Sequence, residues 1–484
     1  MQVDRPEDAA PFLAAAADLY GQSTRKSLHA SALILAGGAA DRAGDPARGL
    51  ALRREALAIY QAMASGNELG VGLSAFKLAP AEAVHGDLER AETLAATAAE
   101  TLARLRAPNH YQTTNSAIAL GWIRVLRGRT AEGLALVRQA FALSVATNEQ
   151  LELAKSQVVG VLDNVEAYSQ ALDAAVRAGD AAFAFEIMQV MSESDASRAA
   201  LAVAAREGAA GSALGKLLRQ RQEAGAALLD AEIRLTRALA LEGEAEATQR
   251  AALRTDRDVR QAELAALDAA LDGTYPGFRN LLRPRRLLLA EAQHRLGRKE
   301  ALLIAVEGDL GLVSMAITRG GVAIGQAPLR RHAVRALVSR IRAGIDGGTA
   351  ADFDAEAAHA LYRGIFTPKV AALLPPGTRL RLATGDILSA LPLSLLVTRP
   401  AVDGKPAHFL IEDHALSIVP SITVLGQENP ASDRRAARRL VAIGAPDADA
   451  TAGNAPSRAA PLAPLPAARR EMETVARLLG RHGP

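Results

Sequence analysis

Three side chains in the second half of the chain are of the types that form a hydrolytic triad. Asp386, His414 and Ser421 would act as orienter, base and nucleophile if the fold brought them together. The residues around Ser421 argue against this chemistry, because the serine follows Pro420 after a predicted strand and no Gly-x-Ser-x-Gly turn surrounds it. We therefore expect the Ser421 hydroxyl to cap the start of the following helix.

A second candidate pair, Asp386 with Ser389, lies in the run TGDILSALPLSLL. The Gly-Asp step after the apolar run RLRLA is typical of a turn that ends a strand. We expect both polar residues to be structural, above leucines that fill the core beneath the sheet. Those leucines are Leu388, Leu391, Leu393 and Leu395.

Composition removes other kinds of site. The chain contains no cysteine, which excludes disulfides, thiolate metal sites and a cysteine nucleophile from these residues. Its histidines are scattered without the spacing of metal ligands, and no glycine-rich phosphate loop is present. We therefore assign no catalytic, cofactor-binding or metal-ligating residue from the sequence.

Two arginine clusters could bind an anion or a partner. Their spacing is also that of a solvated helix face, which is the interpretation we favour. The clusters are Arg434, Arg435, Arg438 and Arg439, and Arg283, Arg285 and Arg286.

Length and charge bound the class of protein. At 484 residues the chain can hold several domains, and a formal net charge of +3 gives no basic surface that would predict nucleic-acid binding. Aromatic residues make up only 3% of a composition that is 49% apolar and rich in alanine, which favours close-packed helices. No signal peptide and no apolar run long enough to span a membrane is found, so we expect a cytoplasmic protein with no membrane partner.

The stretch from about Lys299 to Gly426 has the pattern of an α/β layer. Short apolar runs (ALLIAV, GLVSMAI, GVAIGQ, RLRLAT, LSLLV and ALSIVPS) are separated by turn residues, which is typical of strands. One long helical segment, DFDAEAAHALYRGIFTPKVAALL, interrupts them and ends at Pro375-Pro376-Gly377. This order predicts that some of the strands pair in parallel.

The first 190 residues repeat a helix-turn-helix pattern. The first three turns recur every 42 residues, at Gly44, Gly86 and Gly128, and a fourth, at Gly179, follows 51 residues later. A small residue follows each of the first three glycines by five positions and a leucine follows by eight. A fixed period of this length predicts an α-solenoid similar to the longer TPR variant, the alternative being an irregular helical bundle.

Residues 191–275 become longer, more charged helices. Each helix has a narrow stripe of leucines, and Asp256 with Arg260 is one of the pairs spaced to support an exposed face. We expect a helical hairpin that connects the solenoid to the α/β part, with a coiled-coil dimer as the alternative.

The α/β stretch also resembles the first half of the CHAT domain, a caspase-like module found downstream of TPR helices. Seven pieces occur in the family's order, and one departure is that the usual Pro-Asp-Gly turn is Thr384-Gly385-Asp386 here. The pieces are the strand opened by Glu300, Leu361-Tyr362 with Pro368, Leu380 to Leu393, Leu410 to Glu412, Val419 to Ser421, Leu440 to Pro446, and Leu465 to Glu471.

The resemblance implies a cysteine endopeptidase family in which a histidine activates a thiolate. Both catalytic residues lie downstream of the matching pieces in that family, and the dipeptide His482-Gly483 lacks the preceding strand that would make it the catalytic histidine. The chain as given therefore lacks the dyad, and no peptidase activity is expected from it alone. We expect the N-terminal portion of a longer regulated protease, the alternative being a non-catalytic interaction scaffold.

The predicted architecture is thus multidomain. A TPR-like all-α solenoid over residues 1–190 and a helical hairpin over 191–275 precede an incomplete caspase-like α/β domain over 276–484. The expected partners are a protein bound by the helical repeats and, for a complete CHAT domain, a peptide substrate.

Overall fold

Helices occupy the described chain up to residue 295, and the first strand begins at residue 300. The computed structural model describes residues 6–63, 67–152, 164–193, 213–239, 244–274, 285–346, 352–402, 405–419 and 421–426. The helices of the first part are α1 (Pro6–Gly21), α2 (Lys26–Arg42), α3 (Pro46–Ala62), α4 (Glu68–Val84), α5 (Leu88–Leu105), α6 (Tyr111–Leu126), α7 (Thr130–Glu152), α8 (Val165–Arg177), α9 (Ala181–Met191), α10 (Ala213–Leu239), α11 (Glu244–Thr274) and α12 (Leu289–Arg295).

The turn glycines that set the repeat have one shared backbone geometry. Gly44, Gly86, Gly128 and Gly179 have φ of 89°, 95°, 84° and 69°, a conformation that costs a residue with a Cβ about 1–2 kcal/mol. In all four turns the glycine N–H and the next N–H bond back to carbonyls three and five residues earlier, which is the Schellman helix ending. The glycines therefore end α2, α4, α6 and α8.

An aspartate after three of these glycines starts the next helix. Asp45, Asp87 and Asp180 each accept a hydrogen bond from the backbone N–H three residues on, as a helix N-cap does. The small residues five positions after the turns allow close helix crossing. A Cβ on Gly133, for example, would lie 2.9 Å from Val125 N on the facing helix. Each pair (α2 with α3, α4 with α5, α6 with α7, α8 with α9) packs together for these reasons.

Helices α10 and α11 also pack against each other. Leu228, Leu235, Leu264 and Leu271 from the predicted leucine stripes are buried. Arg221 and Asp268 add a buried ion pair between the two helices, with Nε and Oδ1 2.5 Å apart. The predicted Asp256 and Arg260 pair is present on the more exposed side, at 3.4 Å.

A five-stranded sheet follows, in the order β3-β2-β1-β4-β7. Strand β1 pairs in parallel with β4, and β4 in parallel with β7, while β2 and β3 form antiparallel hairpins. The elements are β1 (Glu300–Gly308), β2 (Gly311–Thr318), β3 (Gly321–Ala327), α13 (Arg331–Asp346), α14 (Ala355–Ile365), α15 (Pro368–Leu373), β4 (Arg379–Thr384), α16 (Asp386–Ser389), β5 (Val397–Arg399), β6 (His408–Phe409), α17 (Leu410–Asp413) and β7 (Leu416–Ile418). The predicted order, a helical first part and then a mixed sheet with parallel pairing, is confirmed.

Both faces of the central strands are buried. Along β1, Leu302, Ile304 and Val306 pack in a core that includes α6, α8 and α9, whereas the alternating residues face a second core formed by α13, α14 and α15. Helices of the first 190 residues thus cover one face of the sheet. Each fully buried large aliphatic side chain contributes about 1.5–3 kcal/mol, so both coverings are needed for stability.

Two sequence predictions are wrong in detail. The long helical segment is two helices, α14 and α15, because Pro368 offers no N–H and disfavours helical geometry at Thr367, whose ψ is 158°. The run LSLLV is mostly a 3-10 turn over Leu393–Leu395, and the strand after it, β5, pairs only with β6 in a separate small sheet.

Candidate functional site

The carboxyl ends of the parallel strands β1, β4 and β7 meet at one edge of the sheet. Ligand sites of α/β folds lie at such an edge, outside the strand ends. The polar residues placed there are Glu307 near the end of β1, Asp386 directly after β4, and Ser421 after β7.

Glu307 has the most unusual environment of these residues. Its side chain is buried, with 2% of the residue exposed, and its Oε1 accepts a hydrogen bond from Ile387 N at 2.6 Å. The Oε2 atom has no hydrogen-bond partner. Burial raises the pKa of this carboxyl, and the Ile387 N–H and the charge of Arg331 oppose the rise only in part.

Gly385 makes room for this carboxyl. A Cβ at position 385 would lie 2.8 Å from Glu307 Cδ and closer still to Oε2. The glycine in the sequence TGD is therefore explained by the approach of Glu307, and its own φ of −65° requires no special residue.

The structure separates the three triad candidates. His414 precedes β7, and its Nδ1 lies 3.0 Å from the carbonyl of Thr378, which precedes β4. It therefore lies at the amino edge of the parallel strands, while Asp386 and Ser421 lie at the carboxyl edge. The Ser421 hydroxyl bonds to the Thr423 hydroxyl at 2.6 Å, ahead of a 3-10 helix over Ile422–Gly426. The expected helix after Ser421 is thus this short 3-10 turn.

The Asp386 and Ser389 pair has local structural contacts. The Ser389 hydroxyl donates to the Asp386 carbonyl at 2.7 Å. Of the leucines expected below it, Leu388, Leu391 and Leu393 are buried, and Leu395 is half-buried. Within the basic cluster, Arg285 pairs with Glu291 at 2.5 Å. Outside the described residues lie Arg283, Arg434, Arg435, Arg438, Arg439, His482 and Gly483.

A second polar site lies where the helix pairs meet the sheet. The carboxylate of Asp173, on α8, is buried with 3% exposed. Its Oδ2 accepts from Trp122 Nε1 at 2.8 Å and from Arg177 Nε at 2.5 Å, and its Oδ1 accepts from Gln326 Nε2, on β3, at 3.1 Å. The site thus joins α6 and α8 to the sheet. We call it the Asp173 junction.

A further contact supports this junction at the tip of the β1–β2 hairpin. The Ser169 hydroxyl, on α8, accepts from Asp309 N at 3.2 Å and donates to Val165 O. Ser169 also lies so close to Gly308 that a Cβ there would be 2.7 Å from its oxygen. Sequence reasoning missed the junction, because Asp173 and Gln326 are 153 residues apart and neither stands in a recognisable motif.

A scan against protein families gives one match, the CHAT domain, over residues 355–483. A CHAT domain is present in this chain. The match covers α14 to β7 among the described residues, whereas β1 to β3, which precede it, complete the same sheet. The proposed resemblance is therefore supported over the second part of the α/β stretch. No curated protein matches the chain.

The match names the CHAT part alone. It covers less than a third of the chain, and the helix pairs before it carry no family name. No helix in the described part is long and apolar enough to cross a bilayer. The described residues also contain no group of three side chains spaced to hold a metal ion.

Proposed function

We propose that the helix pairs form a TPR-like binding layer for a protein partner and that the CHAT part responds to the binding of that partner. Support comes from the distribution of exposed large apolar side chains on α2 to α9. Four of the five are on the first helices of their pairs, with 38%, 58%, 44% and 42% of the residue exposed, and the fifth is Leu143 on α7. The four are Leu28, Leu35, Val84 and Tyr111.

The first helices also lie side by side. Helix α2 contacts α4, α4 contacts α6, and α6 contacts α8, so these helices form one continuous layer. Exposed apolar side chains gathered on one face are typical of a protein-binding surface. The neutral overall charge favours a protein over a nucleic acid as the partner.

The same layer is in direct contact with the sheet. Helix α8 ends the row of first helices, and it shares a hydrophobic core and the Asp173 junction with β1 to β3. A partner that orders or shifts α6 and α8 would therefore act on the sheet that the CHAT part shares. This arrangement supports control of the CHAT part by partner binding, in the cytoplasm as the sequence suggests.

The chemistry of the chain itself is a separate part of the proposal. CHAT belongs to a caspase-like peptidase family, and this chain contains no cysteine. We propose that the chain contributes recognition and control and supplies no thiolate nucleophile. The alternative is a scaffold that holds partners without any peptidase. Reading the natural coding sequence past codon 484 for a histidine and a cysteine separates the two.

The binding proposal is tested with the whole chain and two matched variants. Proteins captured from the natural source by the wild-type chain are identified, purified and measured for direct binding. We expect Leu35→Asp with Val84→Asp to lower the affinity at least tenfold. Leu143→Asp introduces the same side chain on the second-helix layer and should leave binding unchanged. Equal loss in both variants, or a purified partner that does not bind, would refute the binding layer.

A further inference from the structure

An open cavity of about 450 Å³ lies beside the Asp173 junction. Its walls come from the ends of α4, α6 and α8 on one side, and from the β1–β2 turn and the segment after β3 on the other. A ligand in this cavity would touch the helix pairs and the sheet at once. The residues that matter for its chemistry are Trp122, Leu126, Asp173, Arg177, Leu310 and Arg330.

The charges of the cavity favour an anionic ligand. Two guanidinium groups, those of Arg177 and Arg330, line it together with one carboxylate, that of Asp173. Both oxygens of Asp173 already accept hydrogen bonds, and Arg177 is one of the donors. The side chain of Arg330 forms no hydrogen bond or ion pair with any residue that the structure describes, so its charge is left for a ligand.

The rest of the lining is apolar. The Trp122 ring, with 2% of the residue exposed, lies beside Leu126 and Leu310, and Val84 stands at the more open side. A ligand that fits therefore combines a carboxylate with an apolar group a few ångströms away. An acidic residue next to a large aliphatic or aromatic residue in a peptide has this combination.

We propose that this cavity binds an acidic segment of the protein partner, with a carboxylate on Arg330 and the neighbouring apolar side chain against Trp122 and Leu310. This inference rests on the proposed partner-binding function. The cavity opens next to Val84, which belongs to the exposed apolar layer of the first helices, so a peptide lying along that layer enters the cavity with one end. The charge balance selects an acidic end over a basic one.

The test uses synthetic peptides and the whole chain. One set of short peptides carries aspartate or glutamate beside leucine, isoleucine or phenylalanine, and a matched set carries asparagine or glutamine instead. Binding is measured by fluorescence anisotropy of labelled peptides and by the emission of Trp122, the single tryptophan of the chain. Peptides that occupy the cavity should change that emission.

Arg330→Gln is the decisive variant, and Arg319→Gln is its control. Arg319 lies exposed in the β2–β3 turn, at the far end of the same strand β3, so the two variants remove the same charge from one hairpin. We expect acidic peptides to bind the wild type at least tenfold more tightly than amide peptides. Arg330→Gln should abolish that difference, and Arg319→Gln should preserve it. The preference should also weaken as salt is raised.

The other results separate this inference from the proposed function. Acidic peptides that bind Arg330→Gln as well as wild type, or that bind no better than amides, overturn the cavity proposal. The binding layer would still stand if the purified partner loses affinity in the Leu35 and Val84 variant. Phosphate that competes as strongly as an acidic peptide would also overturn the peptide assignment, since it would show a site for small anions.

Discussion

The indole Nε1 of Trp122 donates a hydrogen bond of 2.8 Å to the Oδ2 of Asp173, and both side chains are almost fully buried. This contact joins α6 to α8 at the place where α8 meets the sheet. Asp173 also accepts from Arg177 and from Gln326 on β3, so one carboxylate connects two helices and a strand. Removing it should affect the stability of both parts.

Asp173→Ala should lower the free energy of unfolding by about 3 kcal/mol, because it leaves buried donors without their partner. Urea unfolding followed by far-UV circular dichroism measures this change. Asp230→Ala is the matched control, since Asp230 also pairs with an arginine four residues on but is 68% exposed. It should cost less than about 0.5 kcal/mol. Similar losses in both variants would show that the Asp173 junction adds nothing beyond a surface pair.

The turn glycines can be tested one at a time. Gly86→Ala should cost about 1–2 kcal/mol, because the glycine has a φ of 95° while its surroundings offer open space for a Cβ. Gly273→Ala is the control: it too has open space, but its φ is not in the left-handed region. That variant should be neutral or slightly stabilising, since alanine is the better helix former. Thermal unfolding compares the two, and equal effects would exclude backbone strain as the reason for glycine at position 86.

Glu307 should make stability depend on pH. Its pKa is raised in the folded chain above the ordinary 4.5, so the folded state holds the proton more tightly than the unfolded state. The stability contributed by the protonated form is present below pH 4.5 and is lost as the pH rises through the raised pKa. Glu307→Gln cannot ionise and should lack this loss. The expected result is a variant whose stability relative to wild type increases from pH 4.5 upwards in urea unfolding at several pH values.

A pH profile that is the same in wild type and Glu307→Gln would contradict this prediction. Asp386→Asn serves as a control for the neighbouring carboxyl, whose charge also contributes to the rise in the pKa of Glu307. That variant should reduce the pH dependence slightly and should not remove it.

Gly385 and Glu307 should be coupled. Gly385→Ala places a Cβ 2.8 Å from Glu307 Cδ, an overpacking that costs about 1–3 kcal/mol. In a Glu307→Ala background the same substitution has room, so its cost should fall to near zero. A double-mutant cycle measures the interaction energy. Additive effects of the two substitutions would show that the glycine is needed for another reason.

Local patterns in the sequence were sufficient for the elements. The turns at Gly44, Gly86, Gly128 and Gly179 follow from glycine's freedom at positive φ, and the apolar runs of β1 and β2 follow from strands buried on both faces. Parallel pairing followed from the helices between β1 and β4. The TPR class of the helix pairs and the domain boundaries at residues 190 and 275 stay predictions.

The tertiary structure alone decided which distant residues meet. Trp122, regarded from the sequence as a remnant of the repeat pattern, is a donor to Asp173, and Gln326 reaches the same carboxylate across 153 residues. His414 has the right chemistry for a triad and lies at the wrong edge of the sheet. Helix and strand patterns are properties of short windows of sequence. The face of the sheet that α8 and α9 cover, and the charges left in the cavity beside it, depend on packing between segments that no local pattern connects.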